Sequence, residues 1–258
     1  MTHRPALTAL LFALVLPLAA CTGQQDAAPT AATPATTATA PAATAAAADA
    51  PAPAEIVPAA TATPPQGPAP VAGTDYVEIA GGQPYEPVAG QVEVVEVFGY
   101  TCPHCASFEP LVNAWRAKQT ADVKFTPVAA PFGGYWTPYA RAYYAAQTLG
   151  LASKTHDAMF RAIHVERSLP VQPVPSNEQI AAFYAKHGAD PQQFASTMAS
   201  FAVDAKLKRA EAFITRSGVD STPTLVVNGK YRVTGQSLEE NLRIADHLVA
   251  RERAAAGG

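Results

Sequence analysis

The pattern of apolar and polar positions divides residues 75–250 into short strands and amphipathic helices. Short apolar runs bounded by Gly, Pro or Asn predict strands, and apolar positions three or four residues apart predict helices. The predicted strands are 76–79, 91–98, 122–128, 224–227 and 231–234. The predicted helices include 106–115, 139–149, 154–167, 180–186, 201–218 and a last one after Ser237. The chain is therefore an α/β protein whose strands are interrupted by a helical block at about 137–200.

Local signals fix several ends of these elements. Ser176 with Gln179 forms the pattern of a capping box at the start of one helix. Asn228-Gly229 predicts a two-residue turn between the last two strands. Pro223 stands at the start of a predicted strand, where a proline lacks the backbone N–H that would donate a hydrogen bond in the sheet. It is either a plain strand-starting proline or the second residue of a cis Thr222–Pro223 bond, which would turn the Thr222 backbone toward a neighbouring site.

The strand at 91–98 places a carboxylate among apolar neighbours. Glu96 shares one face of this strand with Val92 and Val94, and Val95 and Val97 make the other face apolar as well. A strand apolar on both faces is typical of the centre of a sheet. We therefore expect Glu96 to be buried with a raised pKa, close behind Cys105, whose proton it could accept and return. The alternative is a solvent-facing Glu on an edge strand.

The first 72 residues differ from the rest of the chain. Residues 1–21 have a short basic start, an apolar stretch and Leu18-Ala19-Ala20-Cys21 at the end. This pattern predicts an export signal and resembles the lipobox of bacterial lipoproteins, which implies lipidation of Cys21. The alternative is an ordinary signal cut after Ala20. Residues 22–72 are mostly Ala, Pro and Thr, so we expect a disordered tether without specific contacts to the domain at 73–258.

The chemistry is predicted at Cys102-Pro103-His104-Cys105. Cys102 stands at an N-cap position and Pro103 suits the first helical residue. The free N–H groups of the first turn and the helix dipole then favour a thiolate on Cys102, so we expect this cysteine to be acidic, exposed and reactive. His104 adds to this effect when it is protonated. A stabilised thiolate favours the reduced form, which makes the disulfide an oxidant.

Composition restricts the alternatives. The chain has 258 residues, a net charge of −3 and only 15% charged residues, so nucleic acid is not an expected partner. A zinc site needs about four ligands, but there are 3 cysteines and one of them is the distant Cys21. We therefore expect no metal. Four histidines lie singly on the predicted helices and are expected to be ordinary surface or core residues; they are His156, His164, His187 and His247.

The Cys-Pro-His-Cys motif, the helical insertion and residues 222–231 together resemble the DsbA family of bacterial periplasmic dithiol oxidases. The resemblance covers about residues 75–250 and implies a thioredoxin fold with an inserted all-helical domain. It implies that Cys102 is the nucleophile, Cys105 the buried resolving thiol and His104 the stabiliser of the thiolate. It also implies that Glu96 is the family's buried acid. Three further residues are expected to bind substrate: Pro103, Thr222 and the cis-proline Pro223.

The resemblance also implies substrates, a redox partner and a cellular location for the enzyme. Its substrates would be reduced, newly exported proteins, and a DsbB-like, quinone-linked membrane oxidase would reoxidise it. The Cys102–Cys105 disulfide would serve without any other cofactor. Cys21 would hold a monomer in the periplasm, at the inner leaflet of the outer membrane because Thr22 rather than Asp follows it. Thr222 stands where the best-known member has Val, which leaves a disulfide reductase or isomerase as the alternative; a metal-binding module is a third reading.

Overall fold

The structure is a computed structural model that describes residues 62–256. Twelve elements follow one another along this part of the chain. The strands are β1 (Tyr76–Glu78), β2 (Val92–Phe98), β3 (Val123–Ala129), β4 (Thr224–Val227) and β5 (Tyr231–Val233). The helices are α1 (Pro103–Arg116), α2 (Trp136–Thr148), α3 (Ala152–His164), α4 (Asn177–Ala185), α5 (Pro191–Met198), α6 (Phe201–Arg216) and α7 (Leu238–Ala256). Within residues 62–256, no helix combines the length and the apolarity needed to cross a membrane.

The five strands form one mixed sheet in the order β1-β5-β4-β2-β3. Strand β2 pairs parallel with β3 and antiparallel with β4. All seven residues of β2 are buried, as a central strand with two apolar faces requires. The prediction of a central strand at 91–98 is confirmed. The alternative that Glu96 lies on an edge strand is wrong.

Helices cover both faces of the sheet. On one face, α1 and α7 pack on β2 and β4 through Phe108, Val112 and Leu248. On the other face, α2 and α6 belong to a larger core that contains Val95 and Val97 of β2. This arrangement is a thioredoxin fold, and the helices α2–α5 between β3 and α6 form the helical insertion. The predicted fold class is therefore confirmed.

The insertion meets the active-site end of β2 at Gly99. A Cβ atom on Gly99 would lie 2.0 Å from the indole ring of Trp136, the first residue of α2. No real side chain tolerates such a contact, so only glycine lets this indole pack against the chain that leads into Cys102. Glycine is required here because of a close approach.

One local prediction differs from the structure and another is confirmed. Helix α3 was predicted at 154–167, but it begins at Ala152 and ends at His164. It cannot extend to 167, because Arg167 has a φ of 52°, outside the range of a right-handed helix. The turn at Asn228-Gly229 is confirmed, since both residues have positive φ, 49° and 64°.

The end of the predicted tether lies against the domain. Residues 62–72 contain no helix, but Arg243 of α7 donates to the carbonyl of Pro68, and His247 bonds the carbonyl of Gln66 at 3.1 Å. The prediction that residues 22–72 make no specific contact is therefore wrong for 62–72. The reason is that main-chain carbonyls alone can bind a helix surface, without any periodic apolar pattern. Residues 1–61, with the predicted signal, Cys21 and most of the tether, lie outside the described residues.

Candidate active site

Cys102 is the N-cap residue of α1. Its backbone is extended, with φ −88° and ψ 117°, and its sulfur accepts a hydrogen bond from the N–H of Cys105 at 3.4 Å. Pro103 follows as the first helical residue, where its missing N–H costs nothing. The predicted N-cap geometry is confirmed. It directs the free N–H groups of the first turn, together with the positive end of the helix dipole, at the Cys102 sulfur.

The two thiols differ strongly in acidity. A hydrogen bond from the Cys105 thiol, with smaller contributions from Thr222 and from the N–H groups of Cys105 and His104, lowers the pKa of Cys102 to about 5. Burial raises the pKa of Cys105 far above its usual value of 9.0. The hydrogen bond that its thiol makes to the Cys102 sulfur and the charge of Glu96 raise this pKa further. At neutral pH the reduced pair is therefore a thiolate at Cys102 beside a thiol at Cys105.

Cys102 is less accessible than we expected. Only 6% of the residue is exposed, and Cys105 is fully buried. The prediction that Cys102 is exposed is wrong because the loop before β4 covers it: its sulfur lies 3.5 Å from the carbonyl oxygen of Thr222. The Thr222–Pro223 peptide bond is cis, as one of the two interpretations of the sequence held. Thr222 and Pro223 are both partly exposed beside the sulfur.

His104 and Pro103 lie on the exposed side of the first turn of α1. Among residues 62–256 the imidazole of His104 makes no hydrogen bond, and it is the backbone N–H of His104 that stabilises the Cys102 thiolate. The contribution visible in the structure therefore comes from the helix terminus rather than from the ring. Pro103 presents its exposed pyrrolidine ring next to Cys102.

Glu96 lies beneath α1 on the face of β2 that carries Val94. It is 1% exposed, and neither carboxylate oxygen has a hydrogen-bond partner within the described part of the chain. Burial, reinforced by the charges of Glu109 and Cys102, raises the pKa of Glu96 well above 4.5. The expected burial and raised pKa are confirmed. The charge of Glu96 is also one of the causes that raise the pKa of Cys105.

Glu93 is a second buried carboxylate in β2, but hydrogen bonds hold its oxygens. It is equally buried, but it accepts hydrogen bonds from the N–H of Tyr85 at 2.6 Å, the N–H of Glu86 at 3.0 Å and the hydroxyl of Thr126 at 2.7 Å. Lys124 lies 3.8 Å away. These contacts satisfy both carboxylate oxygens and make Glu93 a structural residue. Glu96 lacks partners of this kind, which makes it the unusual carboxylate of β2.

Sequence reasoning missed a second buried group beside the thiol pair. Glu109 of α1 is 5% exposed, and its Oε2 lies 3.2 Å from Nε2 of His156 on α3. Nδ1 of the same imidazole is 2.9 Å from the hydroxyl of Tyr100. His156 shares the apolar stripe of α3 with Met159 and Phe160, so its burial was readable from spacing. Its partner on another helix was not.

No metal site is visible in this region. Within residues 62–256, no three His, Cys, Asp or Glu side chains gather in a way that could hold an ion. Cys21 lies outside these residues.

A thiol pair at the start of a helix, faced by a cis-proline loop on a thioredoxin fold, defines the thioredoxin-like dithiol–disulfide oxidoreductases. The comparisons with known proteins agree. The profile of the thioredoxin family matches residues 86–247. The thiol:disulfide interchange protein DsbA of Pseudomonas aeruginosa is 40% identical over 188 residues, which are 72% of this chain and 87% of that protein.

Solved structures give the same result. The crystal structure of oxidoreductase DsbA from Xylella fastidiosa has 51% identity and a TM-score of 0.70, over 72% of this chain and 98% of that one. Pseudomonas aeruginosa DsbA has 38% identity and a TM-score of 0.66, over 73% and 97%. The chain belongs to the DsbA family, which confirms the resemblance seen in the sequence. It is a thiol-disulfide oxidoreductase, and its redox pair is the Cys102-Pro103-His104-Cys105 site.

Proposed function

We infer that the chain works as a net oxidase in which Cys102 is the attacked sulfur, Cys105 the leaving thiol and Glu96 the proton donor. The observation that supports this assignment is the difference in acidity within the pair, with the pKa of Cys102 lowered to about 5 and that of Cys105 raised. The better thiolate is the better leaving group when a disulfide is passed on. A stable Cys102 thiolate therefore favours release of the oxidised substrate.

The steps follow from these positions. A substrate thiolate attacks the Cys102 sulfur, and the Cys102–Cys105 bond breaks. Cys105 leaves with the electron pair and takes up the proton of Glu96, because its own thiolate is strongly disfavoured by burial. A second substrate thiolate then attacks the substrate sulfur of the mixed disulfide and releases Cys102 as a thiolate. The substrate is oxidised, the Cys102–Cys105 pair is reduced, and no further cofactor takes part.

Substrate would bind beside the cis-proline. Thr222 is partly exposed, and its carbonyl oxygen is held next to the Cys102 sulfur. An extended substrate segment could pair with this backbone like an added strand, while Pro103 and Pro223 contact the residues around the attacking cysteine. The side chain of His104 is also exposed, directly after Pro103 in the first turn of α1.

Trapping experiments test these roles. Cys105→Ser, first converted at Cys102 to the mixed disulfide with glutathione, should exchange the glutathione for a substrate thiol and accumulate mixed disulfides between Cys102 and reduced substrate proteins, because no resolving thiol remains. Cys102→Ser should abolish oxidation of a reduced model substrate and trap nothing. If Cys105 reacts faster than Cys102 with an alkylating reagent at neutral pH, the roles are reversed.

The surroundings of the enzyme follow from the sequence. The leader and Leu18-Ala19-Ala20-Cys21 support export to the periplasm and lipidation of Cys21. More than one acyl chain is needed for a stable anchor, which this type of site supplies. We place the anchor at the inner leaflet of the outer membrane, and the partner that reoxidises Cys102–Cys105 is a DsbB-like, quinone-linked membrane oxidase. The enzyme is a monomer.

Fractionation tests the anchor. The wild-type chain should be found in the membrane fraction with the mass of attached lipid, and Cys21→Ser should move it to the soluble periplasmic fraction. Soluble wild-type protein without a lipid mass would contradict the anchor but not the enzymatic assignment.

A further inference from the structure

A tight turn joins β2 to α1 and places Cys102 at the start of the helix. The N–H of Cys102 donates to the carbonyl of Gly99 at 3.0 Å, which closes a four-residue turn with Tyr100 and Thr101 at its centre. Neither central residue has a positive φ, which excludes a type II turn and the mirror-image turns. The closing bond leaves the carbonyl of Tyr100 free, so this group needs a partner of its own.

The partner of this carbonyl is a histidine of the helical insertion. Nε2 of His164, the last residue of α3, lies 2.7 Å from the Tyr100 oxygen. A carbonyl oxygen only accepts, so this nitrogen donates an N–H whichever charge the ring carries. Within residues 62–256 the Tyr100 carbonyl accepts no other hydrogen bond. Tyr100 is 1% exposed and has little access to water, so His164 is the group that satisfies this carbonyl.

The side chain of Tyr100 connects the same residue to α3 a second time. Its hydroxyl shares a hydrogen bond of 2.9 Å with Nδ1 of His156. Its ring packs edge-on against Phe160, with 5.0 Å between the ring centres. Helix α3 therefore holds both the main chain and the side chain of a residue that lies two positions before Cys102.

We propose that His164 is a positioning residue for thiol exchange: its hydrogen bond to the Tyr100 carbonyl fixes the turn that holds the Cys102 sulfur at the N-terminus of α1. This proposal rests on the role inferred for Cys102 as the attacked sulfur. His164 acts on that sulfur through the main chain of residues 99–102, and the bond that it fixes is one between the insertion and the thioredoxin part of the fold.

The loss of this hydrogen bond should open the turn. A buried carbonyl without a partner costs free energy, so the Tyr100 carbonyl would rotate toward water or another donor. A flip of the central peptide within a closed turn would give Thr101 a positive φ, which a β-branched residue resists. The turn therefore opens instead, and Cys102 moves with it. The bond from the Cys105 N–H to the Cys102 sulfur is already 3.4 Å long, so a small movement weakens it.

Two substitutions separate the hydrogen bond of His164 from its charge. His164→Phe keeps a ring but has no donor, whereas His164→Gln also lacks the imidazole but carries an amide N–H at about the place of Nε2. In the reduced full-length protein, His164→Phe should raise the pKa of Cys102 by about 0.5, which corresponds to the loss of one interaction with a helix terminus. His164→Gln should keep the wild-type pKa. The readout is the ultraviolet absorbance of the Cys102 thiolate as a function of pH.

The redox equilibrium provides a second readout that a merely structural role would not move. A less stable Cys102 thiolate weakens the reduced form at pH 7. The equilibrium constant for oxidation of glutathione by the Cys102–Cys105 disulfide should therefore fall about threefold in His164→Phe, and His164→Gln should match the wild type. The matched control is His187→Phe on α4 of the insertion, where the ring packs on Phe183 and makes no hydrogen bond to the turn. Neither readout should change in this control.

Equal increases of the Cys102 pKa in His164→Phe and His164→Gln would show that His164 acts through its charge or its packing, and the proposal would be wrong. An unchanged pKa in His164→Phe would overturn it as well. Should His164→Phe fail to fold, His164→Ala also lacks the donor and must raise the pKa of Cys102 in its place; no increase there overturns the proposal. A failure of the proposed function is distinct, because it would appear in the wild-type protein as faster alkylation of Cys105 than of Cys102.

Discussion

Replacing Glu96 by glutamine should stabilise the oxidised protein, and increasingly so as the pH rises. The carboxyl is 1% exposed and its oxygens have no partner within residues 62–256, so its charged form is costly in the folded protein. Burial raises the folded pKa well above 4.5, the ordinary value that the unfolded chain keeps. Glutamine has nearly the same shape but cannot ionise.

The magnitude follows from proton linkage. Below the unfolded pKa both states of the protein hold the proton, and Glu96 makes no pH-dependent difference. Between the unfolded and the folded pKa only the folded state holds it, so the unfolded state gains about 1.4 kcal/mol for each pH unit. The free energy of unfolding of the wild type should therefore fall relative to Glu96→Gln by up to that slope. Above neutral pH the accumulated difference should be about 1 kcal/mol or more.

Denaturant unfolding of both oxidised proteins at pH 4 and pH 8 measures this difference. The oxidised form is used because a Cys102 thiolate would itself act on Glu96. Glu93→Gln is the matched control: Glu93 is equally buried in the same strand, but its carboxylate accepts hydrogen bonds from three donors at 2.6–3.1 Å. An amide there must turn N–H groups toward N–H donors, so Glu93→Gln should lose stability at pH 8, where Glu96→Gln gains it.

A difference between wild type and Glu96→Gln that does not grow from pH 4 to pH 8 would refute the reasoning. It would mean that Glu96 ionises as easily in the folded as in the unfolded chain. The carboxyl could then not hold a proton for Cys105, and its role in exchange would be lost with it.

Three further measurements test other parts of the structure. The rate of Cys102 alkylation in the reduced protein should reach half its maximum near pH 5, the pKa set by the Cys105 thiol and the helix terminus; a midpoint near 9 would contradict this. The stability of the reduced wild type relative to reduced Cys102→Ser should rise between about pH 5 and 9, because the folded pKa of Cys102 is lowered and its contribution is lost as the pH falls through 5; a difference that does not change with pH would contradict this. Gly99→Ala should cost about 1–3 kcal/mol because its Cβ would overlap the Trp136 ring, and unchanged stability would show that the indole can move away.

Much of the fold could be predicted because local chemistry and tertiary structure agree. The valines on both faces of β2 indicated a central strand, and Asn228-Gly229 adopts the positive φ angles that its turn needs. Ser176 and Gln179 form the capping box that their spacing indicated. In each case the residues that determine the structure lie within a few positions of one another.

The features that sequence reasoning missed depend on distant parts of the chain. The cover over Cys102 comes from Thr222, 120 residues away, and the partner of Glu109 comes from another helix. Residues 62–72 dock through their carbonyl groups, which every residue has, so nothing in their side chains indicated the contact. Periodicity reports which face of an element is buried, but it does not report which residue of another element lies opposite.

The redox equilibrium of Cys102–Cys105 with glutathione tests the central claim most directly. A thiolate at Cys102 with a pKa of about 5 stabilises the reduced form, so its disulfide should oxidise glutathione and have a reduction potential above that of the glutathione couple. The disulfide should therefore be reduced at glutathione ratios that leave a structural disulfide intact. A disulfide that stays oxidised under the same conditions, with a potential below that of glutathione, would contradict the assignment of the chain as an oxidase.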